Sequence, residues 1–191
     1  MSEYIIGSDE VGTGAWAGPF YVCAVAVPKT WKGPPKLTDS KELTPEERLE
    51  LYPALRELPL ALICAPVEYL DTTGLKRALP AAHAFAIRVM LERFPGADIV
   101  VDGTLCIPGF PQARSIPHAD ALFPSVSAAS VIAKVNRDAF MVEQHKMYPH
   151  YDWASNKGYR SATHLAGLDS HGVSPAHRRS YGPIRDILEK I

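Results

Sequence analysis

Two acids stand side by side near the start of the chain, Asp9 and Glu10, between an apolar run and a glycine turn. Adjacent carboxylates repel each other, and solvent, protonation or a divalent cation relieves the repulsion. In an ideal strand their side chains point to opposite faces, so both serve one site only where the strand ends; Val11-Gly12-Thr13-Gly14 supplies such an end. Asp102 closes the apolar run Asp98–Asp102 (DIVVD), and α/β sheets favour functional groups at the carboxyl ends of their strands. Asp120 follows His118-Ala119, just ahead of a long helical segment. Where Asp9, Glu10, Asp102 and Asp120 converge, the site is all oxygen, which suits Mg²⁺ or Mn²⁺ rather than zinc. Carboxylates in that number hold two ions about 3.5–4 Å apart, an arrangement used for phosphodiester cleavage. One ion positions and activates a water; the other stabilises the departing oxygen.

Other chemistries fit less well. Gly12 to Ala17 formally matches a dinucleotide fingerprint, with Asp39 further on where a ribose-binding acid would sit. The third position of that motif must open a helix, and here Gly18-Pro19 and a strand-like segment follow. No G-x-S-x-G occurs, and Asp169-Ser170-His171 is contiguous, whereas a catalytic triad is assembled in space. Asp138 lies four residues after Lys134 in a helical segment, the spacing of an intrahelical ion pair, and is kept outside the site. Cys23, Cys64 and Cys106 are widely spaced without a Cys-x-x-Cys, which argues against a zinc knuckle and for reduced thiols in the cytoplasm.

The elements that must carry these residues are legible in outline. Glu3–Ser8 and Phe20–Val27 read as strands joined by a glycine-rich connection, hence as an antiparallel pair. Thr44-Pro45-Glu46-Glu47 reads as an N-cap, a proline at the first helical position and two acids in the first turn, opening a helix to about Glu57. Leu60–Tyr69 reads as a third strand, Pro80–Phe94 as a helix and Asp98–Asp102 as a strand. Residues 103–119 are irregular, with one strand near Arg114–Ile116. Pro124–Met147 is a long helix opening on small residues; His164–Ser170 and Pro183–Ile191 are shorter helices. This order predicts an α/β fold, a mixed sheet with helices on its faces. The 191 residues fit one domain, 47% are apolar, and the net charge of −1 rules out a strongly basic tail. Residues 131–191 carry 9 basic and 6 acidic side chains, so the last third is mildly positive. No signal peptide opens the chain and no apolar run is long enough to span a membrane.

The segments GSDEVGTGAWAGP, DSKEL, IVVDG, HAD, SVSAASVIAKVNRD, KGYRSATH and SPAHRRSY follow in one order over nearly the whole chain. Together they resemble the prokaryotic type 2 ribonucleases H, the ribonuclease HII and ribonuclease HIII families. The resemblance implies an RNase H-like fold: a central mixed sheet flanked by helices, with a helical substrate-binding portion over about 150–191. It implies cleavage of the RNA strand of RNA/DNA hybrids, and of duplex DNA 5′ of embedded ribonucleotides, leaving 3′-hydroxyl and 5′-phosphate ends; a monomer is expected. The family's metal-binding acids fall on Asp9, Glu10, Asp102 and Asp120. Its loop at the ribonucleotide 2′-hydroxyl falls on Gly12, Thr13 and Gly14, and its junction tyrosine on Tyr159. Ser40, Lys41, Lys157, His164, Arg137 and Arg178 become candidate phosphate contacts. Thr13 stands where ribonuclease HII usually has Arg or Lys, and Gly-Thr-Gly resembles ribonuclease HIII. Only eight residues precede Asp9, where ribonuclease HIII carries a further domain, and Lys157-Gly158-Tyr159 leans to ribonuclease HII. Two alternatives follow: ribonuclease HIII-like cleavage of hybrids but not of single-ribonucleotide junctions, and a non-catalytic nucleic-acid-binding relative.

Overall fold

The computed structural model describes residues 2–190. Five strands are present: β1 (Tyr4–Val11), β2 (Phe20–Pro28), β3 (Leu60–Ala65), β4 (Asp98–Asp102) and β5 (Arg114–Ile116). The helices are α1 (Pro45–Leu55), α2 (Val67–Thr73), α3 (Leu75–Arg93), α4 (Pro124–Met147), α5 (Trp153–Asn156), α6 (Ala162–His171) and α7 (Gly182–Leu188). The sheet order is β3-β2-β1-β4-β5. β1 runs antiparallel to β2 and parallel to β4, and β4 parallel to β5, so the sheet is mixed, as the sequence predicts. Among the described residues no helix is long and apolar enough to cross a membrane.

Most elements begin and end for local reasons. Thr44 caps α1 through a capping box: its hydroxyl accepts from the Glu47 amide, and its own amide donates to the Glu47 carboxylate, worth about 1 kcal/mol. Three expectations are corrected. The third strand stops at Ala65, not Tyr69, because Pro66 sits extended as the N-cap of α2. The next helix starts at Leu75 and runs through Pro80, after a Gly74 whose φ of 76° breaks the chain direction. β1 does not end at Ser8 but continues through Asp9 and Glu10 to Val11, paired rung by rung with β2 as far as Val11↔Tyr21.

The chain divides into two compact units: Met1–Val11, Tyr21–Cys64 and Leu79–Val135 form one; Gly12–Phe20, Ala65–Ala78 and Asn136–Ile191 form the other. The helical portion expected from about residue 150 is thus part of a unit that also takes in two earlier segments. In the first unit, Cys23, Val25 and Val27 of β2 pack with Leu55 of α1 and with Ala128, Ala129, Ile132 and Ala133 of α4. Gly7 makes this approach possible: a Cβ there would fall 2.4 Å from the backbone of Ser125 and Val126. The second unit has its own core of Ala17, Met141, Tyr151, Trp153, Leu168 and Ile184.

Candidate active site

β4 pairs with β1 only as far as Ser8↔Val101, so Asp102 emerges beside Asp9 at the carboxyl end of β4. Because β1 continues through the acid pair, Asp9 and Glu10 alternate in direction. Asp9 is 3% exposed; Glu10 is half-buried. Asp9 lies on the side of α4, where the hydroxyl of Ser130 reaches its carboxyl and itself sits 2.8 Å from the hydroxyl of Ser40. Burial, then the charges of Glu10 and Asp102, push the Asp9 carboxyl up to about 8, against the hydrogen bond from Ser130. Asp120, buried in a single turn of 3-10 helix, is raised to about 6 by burial and by Asp39, with Asp102 adding and Lys41 opposing. The Asp102 carboxylate accepts from the amide of Ala119 at 2.8 Å, which ties β4 to the Asp120 turn.

These acids share one electrostatic neighbourhood with one cation. Burial alone would lower the Lys41 ammonium; the carboxylates of Asp39, Asp9, Asp120 and Asp102 together raise it. Asp39, weighed in the sequence only as a ribose-binding acid, accepts from the Lys41 amide at 2.9 Å and hydrogen-bonds Asp120. Glu10 faces a second residue that no motif signalled. The Nε2 of His83, a fully buried side chain of α3, lies 3.2 Å from Glu10 Oε2. Among the described residues, no group of three or more His, Cys, Asp or Glu side chains is arranged as a finished metal cage. Glu10 contacts His83, and Asp120 contacts Asp39. By donor type and charge the set still fits a divalent cation, which would relieve the repulsion that raises Asp9 and Asp120. A cavity of about 620 Å³ lies elsewhere, lined by Asp98, Ile99 and Arg114 at the amino ends of β4 and β5.

The second unit gathers Gly12, Thr13, Gly14, Arg137, Tyr159 and Arg178. Gly12 has φ 89°, and a Cβ on it would lie 2.0 Å from Arg137 Nε, so the turn exists only with glycine there. A Cβ on Gly14 would lie 4.0 Å from the Tyr159 ring, and the guanidinium of Arg137 covers that ring at 5.2 Å. Tyr159 is half-buried and Gly14 exposed.

Four of the expected phosphate contacts are buried. Arg137 is fully buried and donates to the carbonyls of Pro19 (2.9 Å), Lys157 (3.0 Å) and Ala17 (3.3 Å). Arg178, also fully buried, donates to Gly18 O at 2.8 Å and to Thr13 O and the Tyr181 hydroxyl. Arg137 donates to three main-chain carbonyls; Arg178 donates to two and to a hydroxyl, and its Nη2 is buried without a hydrogen-bond partner among the described residues. His164 is buried too. The Ser174 amide donates to His177 Nδ1, so His177 Nε2 carries the proton and donates to His164 Nε2 at 3.0 Å; His164 Nδ1 then donates to Tyr159 O at 2.9 Å. Burial and His164 hold His177 down at about 3, and burial lowers His164 as well. Ser40 is 4% exposed and faces Ser130. Lys41 is exposed, and Lys157 is half-buried, its ammonium donating to the carbonyl of Ala154.

Comparison with known proteins agrees with this architecture. A family model described as Ribonuclease HII matches residues 6–182. The ribonuclease HII of Lacticaseibacillus paracasei is 40% identical over 188 residues, covering 97% of this chain and 73% of that protein. That of Azoarcus sp. (strain BH72) is 40% identical over 187 residues, covering 97% of this chain and 90% of that protein. Among solved structures, the PCNA:RNase HII complex from Archaeoglobus fulgidus matches with a TM-score of 0.73 at 21% identity, over 98% of this chain and 100% of that one. Bst-RNase HIII in complex with Mn2+ matches with a TM-score of 0.77 at 20% identity, over 99% of this chain and 70% of that one. These two likenesses establish the RNase H-like fold. With a family model spanning most of its length and relatives of 40% identity along nearly all of it, the chain belongs to the ribonuclease HII family.

Proposed function

We propose that this chain is a divalent-metal-dependent endonuclease that hydrolyses the RNA strand of RNA/DNA hybrids and cuts duplex DNA 5′ of embedded ribonucleotides, leaving 3′-hydroxyl and 5′-phosphate ends. The observation that carries the reading is the acid neighbourhood at the carboxyl end of β4, where Asp102 adds to the cost of charging Asp9 and Asp120 and Lys41 share the same field. Asp9, Glu10, Asp102 and Asp120 would hold two Mg²⁺ or Mn²⁺ ions. When bound, such ions supply an activated water and neutralise charge on the departing 3′ oxygen. A polyanion does not approach four carboxylates for binding alone, which disfavours a non-catalytic role.

The chain's own residues supply recognition. The exposed Lys41 ammonium offers a point charge to a phosphate. Backbone amides of the turn Gly12–Gly14 offer donors to a ribose 2′-hydroxyl, the group that distinguishes RNA from DNA. Tyr159, half-buried with its ring beside Gly14, offers a face for a neighbouring deoxyribose. Thr13 brings no cation to this turn, so junction recognition rests on the amides and on Tyr159. We further place the protein in the cytoplasm as a monomer, a setting consistent with its three free thiols.

The test is a pair of variants on two duplexes, a continuous hybrid and a DNA with one ribonucleotide. Asp102→Asn is expected to lose cleavage of both by more than about a hundredfold while its melting temperature holds, because it removes a ligand and no core contact. Tyr159→Ala is expected to lose more on the single ribonucleotide than on the hybrid. Wild-type turnover by Asp102→Asn contradicts the metal site; equal losses in Tyr159→Ala contradict the junction role. A wild-type protein that cuts the hybrid and spares the junction acts like the alternative that Thr13 suggests.

A further inference from the structure

α3 buries one stripe at helical spacing, Ala82-His83, Ala86-Ile87 and Met90, and every member but His83 is apolar. An imidazole with no exposed surface must spend its nitrogens inside the protein. One ring nitrogen, Nε2, faces Glu10 Oε2 at 3.2 Å. A carboxylate accepts only, so this contact is a hydrogen bond when Nε2 donates. The other, Nδ1, lies 2.9 Å from the Ser8 hydroxyl, which also reaches the carbonyl of Cys23 at 3.0 Å. The line runs from the backbone of β2, through Ser8 and the ring, to Glu10. Its anchor, Cys23, is the rung of β2 paired with Asp9, so one rung of the ladder references both acids of β1.

We propose that His83 is a positioning residue for Glu10, fixing the carboxylate by holding Oε2 so that Oε1 is presented to a divalent cation. The proposal rests on the assignment of Glu10 as a metal ligand above. Without the ring, a half-buried glutamate with three side-chain torsions would lose that freedom only when the ion arrives. With it, the ordering is done when the protein folds. Outer partners of this kind change metal affinity by about 10–100-fold when removed.

The test compares His83→Gln with His83→Met. The two side chains have similar length and volume, and only glutamine keeps an N–H to offer Glu10. Mn²⁺ binding is measured by calorimetry and by electron paramagnetic resonance of the free ion, with melting temperature recorded alongside. The expected result is Mn²⁺ affinity about tenfold or more weaker in His83→Met and within about threefold of wild type in His83→Gln. In a Glu10→Gln background, His83→Met should have no further effect on affinity. Unchanged affinity in His83→Met, or equal losses in both variants, overturns the proposal. Should His83→Met not fold, wild-type protein labelled with ¹⁵N-histidine decides. A proton on His83 Nε2 whose resonance moves in Glu10→Gln supports the proposal, and an unprotonated Nε2 overturns it. Asp102→Asn keeps the premise separate: if that variant binds Mn²⁺ as wild type does, the four-acid reading fails, while the Nε2 proton still judges the His83–Glu10 bond.

Discussion

A carboxyl as buried as Asp9 makes the metal-free protein respond to pH in a definite direction. Its folded value is about 8 against an ordinary 3.8, so between those values the native state keeps a proton that the unfolded chain releases. Metal-free stability should therefore fall as pH rises from about 4 to 8, by at most about 1.4 kcal/mol for each pH unit crossed, and level off above that window. Asp9→Asn should flatten the dependence and raise the melting temperature at pH 8 in chelator, while Mg²⁺ stabilises wild type and not the variant. Chelator-treated melting curves across this range decide it; a wild-type stability that climbs toward pH 8 contradicts the burial argument. Asp9, Glu10 and Asp102 were legible from their positions after apolar runs, and Asp120 from its place just ahead of the long helix. The fates of Arg137, Arg178, His164 and Ser40 were not, because a polar residue in sequence does not show whether a phosphate or a buried carbonyl will take its hydrogen bonds. His83 was invisible for the opposite reason: it gains meaning only from a partner tens of residues away; Asp39 was read only as a ribose-binding acid, not as a partner of Asp120.

At the scale of elements, the hairpin, the capped α1, DIVVD and the long α4 could be read directly, because each has a periodic pattern and a terminator. The end of β1 could not. The sequence reads a strand over Glu3–Ser8 that ends at the acids, but pairing with β2 carries it on to Val11 and sends Asp9 and Glu10 to different faces. The two-sided placement is what brings Ser130 to one acid and His83 to the other. The turn that follows is built on a close approach: Gly12 at positive φ lies against Arg137, whose guanidinium ties three carbonyls. Gly12→Ala must displace that arginine and strain the backbone, at a cost of about 1–3 kcal/mol. We expect a lowered melting temperature together with reduced cleavage of the single-ribonucleotide duplex, read by thermal denaturation and by end-labelled cleavage. A Gly12→Ala protein that melts and cuts as wild type does contradicts the role of the turn.

At the scale of the whole molecule, charge decides how a nearly neutral protein meets a polyanion. The chain carries 20 basic and 21 acidic side chains, so attraction must come from local cations and from the neutralising of its acids. Of the cations named as phosphate contacts, Lys41 is the exposed one lying among the carboxylates, while Arg137 and Arg178 are buried. Binding of Asp102→Asn protein to a labelled hybrid should therefore weaken with salt along a shallow slope, and Lys41→Ala should reduce that slope by about 1. Fluorescence anisotropy at several salt concentrations measures it, and an unaltered slope removes Lys41 from the phosphate contacts.

The central claim is that the acid neighbourhood at the end of β4 makes this chain a metal-dependent nuclease for ribonucleotides paired to DNA. Its most direct test uses purified wild-type protein with two end-labelled duplexes, an RNA/DNA hybrid and a DNA with a single ribonucleotide, each in Mg²⁺, Mn²⁺ and chelator. Cleavage of both is expected with metal and none in chelator, the cut falling 5′ of the lone ribonucleotide and leaving 3′-hydroxyl and 5′-phosphate ends. Folded protein that cuts neither duplex with either ion, or that cuts as fast in chelator, would contradict it.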